Sequence, residues 1–388
     1  MTGHIRRRGK RSWQIFLELP RTSDGRRRQK TVTVRGTKRQ AEAELARLTN
    51  EIATGAFVEP TKMTVSAFLD RWLSDYAEIK VSAKTLERYR EIVRCHLAVA
   101  LGQLRLMDVR PLHIQEYYAS ALRAGRLDGK GGLSAQTVLH HHRVLREALQ
   151  QAIRWQLLAR NPADAVEPPR PQRRESAVLS DDQTARLIAS ADGSRLWIVI
   201  VLAATLGLRR GEILALRWQD IDFDNSVVRI RRSLEQIRGG LRFKEPKSAR
   251  GRRAVALPGI ALEALRRHRL SQRKERLLFG ASYRDQDLVC ARPHGTPMDP
   301  GEVTAGFAAL VRTVDVPRIR LHDLRHGHAT QLLRQGIHPK IVSERLGHST
   351  TAITLDLYSH VAPDMQDEAA RSIDRALRDA IARDRSKR

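Results

Sequence analysis

Residues 159 to 176, ARNPADAVEPPRPQRRES, constrain the fold more than any other stretch of this sequence. They contain Pro162, Pro168, Pro169 and Pro171. Proline lacks a backbone N–H and fixes φ, so such a run cannot lie inside a helix or a central strand. Because helical patterns flank it on both sides, the stretch predicts a semi-rigid extended linker and at least two separately folded parts.

The composition is that of a multidomain globular protein that binds a polyanion. The chain has 388 residues, 41% of them apolar, which is enough for two or three domains with their own cores. Lys and Arg number 70 against 43 Asp and Glu, and the resulting charge of +27 favours nucleic acid as the partner. The basic start has no secretion-signal core and no run of about 18 apolar residues appears, so we expect a cytoplasmic protein without a membrane partner. Cys95 and Cys290 are too few and too far apart for a disulfide framework or a zinc finger.

Residues 1–58 have the pattern of a small basic domain that binds DNA. WQIFLELP and QKTVTVRG alternate as strands do, and Asp24-Gly25 between them is a hairpin signal. A helix is predicted from about Thr37 to Gly55. Residues 1 to 39 hold thirteen Lys or Arg against two acidic residues. A solubilising tail is the alternative, but the strand pattern makes it the weaker one.

Residues 64–166 predict an all-helical domain, because helical periodicity runs from Val65 to about Ala159. Three consecutive histidines, residues 140–142, lie within it. Successive helical positions point about 100° apart, so these rings cannot converge on one metal ion. We expect them at the surface or lining a groove.

Residues 175–388 predict a third domain of helices and short strands, beginning with a helix capped by Ser180. DIDFD opens like a calcium loop but lacks the required Gly and Glu, so it is better interpreted as a strand with Ile221 and Phe223 inward. VVRIRRSL, GLRFKEP and RRAVALP are strand-like. Lys247 is predicted at the tip of a hairpin between the last two.

Several polar residues of this domain suit a phosphate. Arg209 and Glu212, three apart, predict an oriented guanidinium, although a single helical salt bridge is the plain alternative. His322 and Arg325 share a helical face. An Arg fork binds two phosphate oxygens, and a His beside it can hydrogen-bond or move a proton near neutral pH.

The following segments add two further polar side chains. His326 and His328 point elsewhere on the same helix and are expected to be supporting or structural. Gly347 predicts the end of a helix, with His348 at the break. Tyr358 follows ten residues later and, taken alone, is best interpreted as a half-buried aromatic.

In order, GLRRGE, PKSARGRR, HDLRHGHAT and RLGHSTTAITLDLYSH closely resemble the catalytic domain of tyrosine recombinases of the lambda-integrase type. The likeness covers the whole chain. It implies a multidomain, mainly helical fold with small β-sheets: a three-stranded sheet with a helix that binds arm sites, an all-helical core-binding domain and a mixed α/β catalytic domain. Enzymes of this family cleave and rejoin DNA through a 3′-phosphotyrosyl intermediate and a Holliday junction.

The resemblance also implies a role for each matching residue. Tyr358 would be the nucleophile, Arg209 and Arg325 would hold the non-bridging oxygens, and His348 would donate a further hydrogen bond. His322 would act as a base and Lys247 as the acid that protonates the leaving oxygen. The positions expected to orient these groups are Glu212, Asp323 and His326.

The resemblance extends to partners. It implies double-stranded DNA with core and arm attachment sites, a homotetramer on that DNA, and an accessory bending or directionality factor. Neither a metal nor another cofactor is expected. The C-terminal stripe of Ala369, Ile373, Leu377 and Ile381 would either cover its own core or, as in the family, pack on a neighbouring protomer.

The expected activity is the integration and excision of a phage or other mobile element. A type IB topoisomerase would use the same chemistry without pairing two sites, and the arm-like first domain argues against it. A regulator that binds DNA without cutting it is the other alternative. Such a protein would have no need of Tyr358.

Overall fold

The structure is a computed structural model. It describes residues 3–19, 28–53, 58, 61–172, 177–246, 251–348, 350–352, 354–355 and 362–385. The chain divides into two compact units, residues 1–173 and 174–388, called here the N-terminal unit and the C-terminal unit. Helices dominate both units, and the sheets are small and antiparallel. The predicted fold class is therefore confirmed.

Residues 3–53 form a three-stranded antiparallel sheet packed against one helix. The elements are β1 (His4–Gly9), β2 (Ser12–Leu19), β3 (Arg28–Arg35) and α1 (Lys38–Ala53). The central strand β2 buries Ile15 and Leu17 against Leu48 of the helix, as the period-two alternation predicts. The predicted Asp24-Gly25 turn lies outside the described residues.

Residues 61–172 form a helical bundle around one apolar core. The helices are α2 (Val65–Trp72), α3 (Glu78–Lys80), α4 (Ala83–Ile92), α5 (Ala98–Leu101), α6 (Pro111–Ala124) and α7 (Ala135–Arg154). Ser134 caps α7 by accepting a hydrogen bond from the Thr137 N–H. The prediction of helices throughout this stretch is confirmed.

The three consecutive histidines were predicted at the surface or lining a groove, and this was wrong for His141, whereas His142 lines an open cleft. His141 and His142 are buried, and only His140 is exposed. The Nδ1 atoms of the buried pair lie 2.6 and 2.7 Å from the hydroxyl oxygens of Tyr117 and Tyr118, respectively. A polar ring is tolerated inside a core when it has such a partner. The tyrosines lie on another helix, so sequence spacing did not reveal the pairing.

The proline-rich linker is shorter than predicted. Pro162–Ala165 forms a 3₁₀ turn, which Asn161 caps by accepting from the Ala163 N–H. Ala163 and Val166 are buried in the core of the helical bundle. The first part of the proline-rich stretch therefore belongs to that core, and residues 167–172 follow it without regular secondary structure.

The C-terminal unit is built around the buried helix α9. The helices of this unit are α8 (Asp181–Ser190), α9 (Leu196–Leu206), α10 (Arg210–Leu214), α11 (Gly259–Phe279), α12 (Pro300–Thr313), α13 (Leu321–Arg334), α14 (Pro339–Leu346) and α15 (Ala362–Arg385). Residues 198–203 of α9 are all buried, as expected of a helix that is apolar on every side. The predicted cap Ser180 accepts from the Gln183 N–H at the start of α8.

Two small sheets flank these helices. Their strands are β4 (Ile221–Asp222), β5 (Val227–Ile230), β6 (Ser233–Ile237), β7 (Gly240–Lys244) and β8 (Arg253–Ala256). One sheet has the order β4-β5-β8, and β6 and β7 form a separate hairpin. The prediction of a hairpin between β7 and β8 was therefore wrong. Lys247 belongs to the connection between two sheets, and it lies outside the described residues.

The stripe on α15 is exposed where the structure describes its side chains. Ile373, Leu377 and Ile381 are 62%, 58% and 54% exposed, respectively. These three side chains do not cover the core of their own chain. None of the helices in the described part of the chain is long and apolar enough to cross a membrane.

Candidate active site

Arg209 lies at the N-terminus of α10, directly after a sharp turn. Helix α9 ends at Gly207 in the left-handed conformation, with φ of 63°. A Cβ atom there would lie 2.8 Å from the His328 ring and 2.5 Å from Leu346, so a larger residue does not fit. Arg209 Nη1 donates to Glu212 Oε1 at 2.8 Å, while the side chain of Arg209 remains 40% exposed. Its guanidinium is thus fixed on one side and open to a ligand on the other.

Glu212 orients two arginines at once. Its carboxylate accepts from Arg209 and also from Nη1 and Nη2 of Arg253 at 3.1 and 2.9 Å. The side chains of Glu212 and Arg253 are only 5% and 6% exposed, so this pair is almost fully desolvated. Burial acts to raise the pKa of Glu212, but the hydrogen bonds and charge of Arg253 outweigh it and keep the pKa below its usual value. Glu212 is therefore an ionised buried anchor for both guanidinium groups.

Three arginines from different elements bind the C-terminal end of α14. Arg253 Nε donates to the Arg345 carbonyl at 2.7 Å, Arg325 Nη2 to the Leu346 carbonyl at 2.7 Å, and Arg209 Nη2 to the Gly347 carbonyl at 2.8 Å. The last carbonyls of a helix lack intrahelical partners and carry partial negative charge. The turn that leads into the next residue, His348, is consequently held by Arg253 together with Arg209 and Arg325, the two arginines that the sequence predicts as phosphate ligands.

Arg325 is the most deeply placed of these cations. It is 3% exposed, and its Nη1 donates to the Gly207 carbonyl at 2.7 Å. Burial lowers the pKa of its guanidinium, and the positive charge of Arg209 lowers it further. An arginine remains protonated at neutral pH even so. The buried Arg325 and its half-exposed neighbour Arg209 together favour the binding of an anion between them.

His348 follows the glycine turn and has one defined partner. The ring is 7% exposed, and its Nδ1 lies 2.8 Å from the hydroxyl of Thr354, which is fully buried. Burial lowers the pKa of His348 to about 4, with further lowering by Arg325 and Arg209. The ring is therefore neutral at pH 7. If the Thr354 hydroxyl donates to Nδ1, the proton is carried by Nε2.

Helix α13 supplies the remaining polar residues of the site. His322 is exposed and stacks edge to face on His326, with ring centroids 4.9 Å apart. Desolvation by the surrounding protein lowers the pKa of His322, and repulsion from His326 and Arg325 lowers it further. Asp323 accepts from the Arg320 backbone N–H at 2.7 Å and so caps α13. Asp323 thus fixes the first turn of the helix that carries His322 and Arg325.

His328 is a buried residue that helps to hold the fold together, as its position on α13 predicts. Its Nε2 accepts from Arg345 Nε at 3.2 Å, and the ring is buried. Arg345 also donates to the carbonyls of Ala256 and Thr205 at 3.2 and 3.5 Å. This network ties α14 to β8 and α9 without adding a group to the phosphate site.

The sequence reasoning missed three residues of this arrangement: Arg253, Arg345 and Thr354. The position of Arg253 could have been predicted, because it lies two residues before the buried Val255 on β8. Side chains two apart on a strand lie on the same face, so Arg253 must face inward as well. An inward arginine requires a buried acceptor. Tyr358, like Lys247, lies outside the described residues. Within the described ranges, no three His, Cys, Asp or Glu side chains are grouped to hold a metal ion.

Two family models match this chain. The phage integrase family model matches residues 177–365, and the model for the phage integrase N-terminal SAM-like domain matches residues 64–122. Together these ranges span well over half of the sequence. The chain belongs to the phage integrase family of tyrosine recombinases. It is a site-specific recombinase, as the motif order predicts.

Individual relatives agree with this family. A tyrosine recombinase XerC-like protein of Caldanaerobacter subterraneus is 27% identical over 384 residues, covering 94% of this recombinase and 96% of the relative. The Tn1549 transposon integrase, solved with transposon right end DNA, superposes with a TM-score of 0.66 at 22% identity, over 79% of this chain and 100% of that one. A lambda integrase tetramer bound to a Holliday junction gives a TM-score of 0.55 at 19% identity, over 91% and 94%. The two structural likenesses establish the fold of the recombinase.

The recombinase is expected to lose stability as the pH falls from 7 to 5. Burial and Arg345 lower the pKa of His328 to about 4, a value that His348 shares. In the unfolded chain both rings become protonated near pH 6.5. Between about pH 6.5 and pH 4 the unfolded state therefore binds more protons than the native state, and the free energy of unfolding falls. Thermal unfolding at the two pH values checks this, and a His328→Gln protein should show a smaller change. An unchanged midpoint for the parent protein would contradict the burial of neutral rings.

Proposed function

We propose that Arg209, Arg325 and His348 bind the scissile phosphate of DNA and that Tyr358 attacks it. The observation that supports this most strongly is the convergence of the three ligands on the C-terminal end of α14. Each guanidinium has five N–H donors, so the bonds to helix carbonyls leave others for phosphate oxygens. Charge grows on those oxygens in the transition state, where fixed cations are most effective.

Tyr358, His322 and Lys247 would supply the nucleophile and the two proton transfers that cleavage of the phosphodiester requires. The Tyr358 hydroxyl oxygen forms a bond to phosphorus, the bond from phosphorus to the 5′-oxygen breaks, and a 3′-phosphotyrosyl link results. His322 takes the phenolic proton, since the lowered pKa of its ring makes it a neutral acceptor at pH 7. Lys247 gives a proton to the 5′-oxygen. Attack by the 5′-hydroxyl of a second strand reverses these transfers, so the phosphotyrosyl bond conserves the energy for resealing without ATP.

The positive charge that this step requires comes from side chains. Glu212 fixes Arg209, and Asp323 caps the helix that presents His322 and Arg325. His326 packs against the ring of His322 and limits its rotation. We therefore propose strand exchange that needs neither a metal ion nor another cofactor.

Thr354 is proposed as a positioning residue for His348. Thr354→Val keeps the shape of the side chain but removes the donor to Nδ1, so the Nε2 proton that faces the phosphate is no longer fixed. Loss of such a supporting bond is expected to slow single-turnover cleavage by about 10- to 100-fold. The measurement is cleavage of a nicked duplex that carries the attachment site, in EDTA and without ATP, by the parent and variant proteins.

Thr354→Ser is the matched control, because it retains the hydroxyl and should keep nearly the parental rate. Cleavage by the parent protein in EDTA supports the proposed function. Equal cleavage rates for the Val and Ser variants would show that Thr354 has no positioning role. The chemistry proposed for the other residues would be unaffected. Cleavage that appears only when a divalent ion is added would contradict the metal-free proposal.

The wider assembly is proposed from the domain organisation. We assign arm sites to the basic residues 1–58, core sites to residues 64–166 and chemistry to residues 175–388. The exposed stripe on α15 supports packing on a neighbouring protomer in a tetramer, the assembly in which lambda integrase was solved on a Holliday junction. An accessory bending or directionality factor would set the choice between integrating and excising a phage or mobile element. We propose that the recombinase acts in the cytoplasm, where such DNA lies, and that it is either associated with a bacterial nucleoid or encoded by a phage.

A further inference from the structure

A second basic site lies beside the proposed phosphate site, in an open cleft of about 640 Å³ on the β4-β5-β8 sheet. We call it the arginine cleft. It is lined by six arginines: Arg217, Arg229, Arg231, Arg232, Arg252 and Arg253. The sequence reasoning assigned no role to any of them. Arg253 borders both sites, since it lines the cleft and donates to Glu212.

Carboxylates around the cleft compensate part of this charge: Arg229 pairs with Asp222 at 3.4 Å, and Arg253 pairs with Glu212 at 2.9 Å. Among the described residues that line the cleft, Asp220 and Glu245 are the acidic ones. Asp220 lies 3.8 Å from Arg231, and Glu245 lies 3.7 Å from Arg252. Both arginine side chains are more than 60% exposed, and ion pairs of that length at the surface contribute little. With six arginines against the four carboxylates of Asp220, Glu245, Asp222 and Glu212, the cleft keeps a net positive charge.

The inner part of the cleft holds arginines that repel one another. Burial lowers the pKa of Arg232, and the charge of Arg217 lowers it further. The Nε atom of Arg217 is buried and has no hydrogen-bond partner among the described residues. An unsatisfied buried donor is costly and is rare in native proteins. A ligand with several anionic oxygens would satisfy this donor and reduce the repulsion.

We propose that the arginine cleft binds backbone phosphates of the DNA substrate, separate from the scissile phosphate. Arginine forks suit phosphate oxygens, and the volume of the cleft far exceeds that of one inorganic phosphate ion. A cleft that is open to solvent is suited to a polymer that continues beyond it. Because Arg253 contacts Glu212, and Glu212 orients Arg209, a phosphate bound in the cleft would sit next to the catalytic arginine.

The test compares two double variants of the full chain. Arg231→Gln with Arg252→Gln alters exposed cleft residues, whereas Arg267→Gln with Arg276→Gln removes the same charge from α11. The two control side chains are 61% and 62% exposed and pair with Asp192 and Asp285. Fluorescence anisotropy with a random-sequence duplex, titrated with NaCl, gives the slope of log K against log salt. The cleft variant should lose about 0.9 from that slope for each phosphate contact removed, and the control should keep the parental slope.

Two further measurements identify other occupants of the cleft. A thermal shift with sodium phosphate, matched in ionic strength with NaCl, reports binding of the free ion. If phosphate stabilises the parent but not the cleft variant, and both double variants keep the same salt slope, the ligand is a free anion and the proposal is overturned. If the cleft variant changes self-association in sedimentation velocity but not the salt slope, the cleft is a protein interface, which also overturns it. Because these assays involve no cleavage, their outcome is independent of the roles proposed for Tyr358 and its partners.

Discussion

A Tyr358→Phe recombinase is expected to bind its attachment site with unchanged affinity and to form no covalent adduct with DNA. Removal of the phenolic oxygen removes the proposed nucleophile, while the arginines proposed to hold the phosphate remain in place. Cleavage should fall by at least about 10⁴-fold, as it does when other enzymes lose a covalent nucleophile. Binding is measured by anisotropy and cleavage by a denaturing gel on a nicked duplex.

Tyr283→Phe is the matched control for this substitution, because Tyr283 belongs to the same unit and packs under the guanidinium of Arg276 on α11. This control should cleave DNA at the parental rate. A Tyr358→Phe protein that still became covalently attached would assign the nucleophile to a different residue. A variant that lost DNA binding as well would indicate that Tyr358 acts in binding.

An Arg325→Lys recombinase is expected to lose cleavage by about 10²- to 10³-fold, the usual effect of removing one fixed donor to a developing charge. Lysine keeps the positive charge but lacks the planar fork. It cannot bond the Gly207 and Leu346 carbonyls together and still address a phosphate oxygen. Leaving one of these buried carbonyls unpaired should also reduce the free energy of unfolding by about 1–3 kcal/mol.

Arg345→Lys separates the two effects of that change. Arg345 is likewise tied to backbone carbonyls, those of Ala256 and Thr205, but it has no proposed contact with DNA. We expect this control to lower thermal stability and to retain cleavage at temperatures where it is folded. If Arg325→Lys and Arg345→Lys lost cleavage equally, the loss would reflect stability, and the phosphate role of Arg325 would be wrong.

The parts of the site that the sequence predicted rest on short-range spacing. His322 and Arg325 share a turn of α13, Arg209 and Glu212 share a salt bridge, and Gly347 ends α14 in the left-handed conformation just before His348. Each relation spans at most three residues. Helix geometry therefore determines it almost without reference to the rest of the fold.

The parts that could not be predicted depend on contacts between distant segments. Arg253 reaches Glu212 across 41 residues, and Arg209 reaches the Gly347 carbonyl across 138. No local periodicity records such a pairing. The same holds for β7, whose composition suits a strand but does not reveal that it pairs with β6 and not with β8. Burial of His141 beside Tyr117 is a third case, because the partner lies on another helix.

Tyr358 is proposed to become linked to the 3′-phosphate of DNA without a metal ion. This linkage is tested most directly by trapping the parent protein on a nicked duplex in EDTA, digesting the complex and identifying the peptide that carries the nucleotide by mass spectrometry. We expect a single modified peptide, with the nucleotide on Tyr358. A modified peptide that excludes Tyr358, or tight binding with no adduct on a duplex known to recombine, would contradict the proposal.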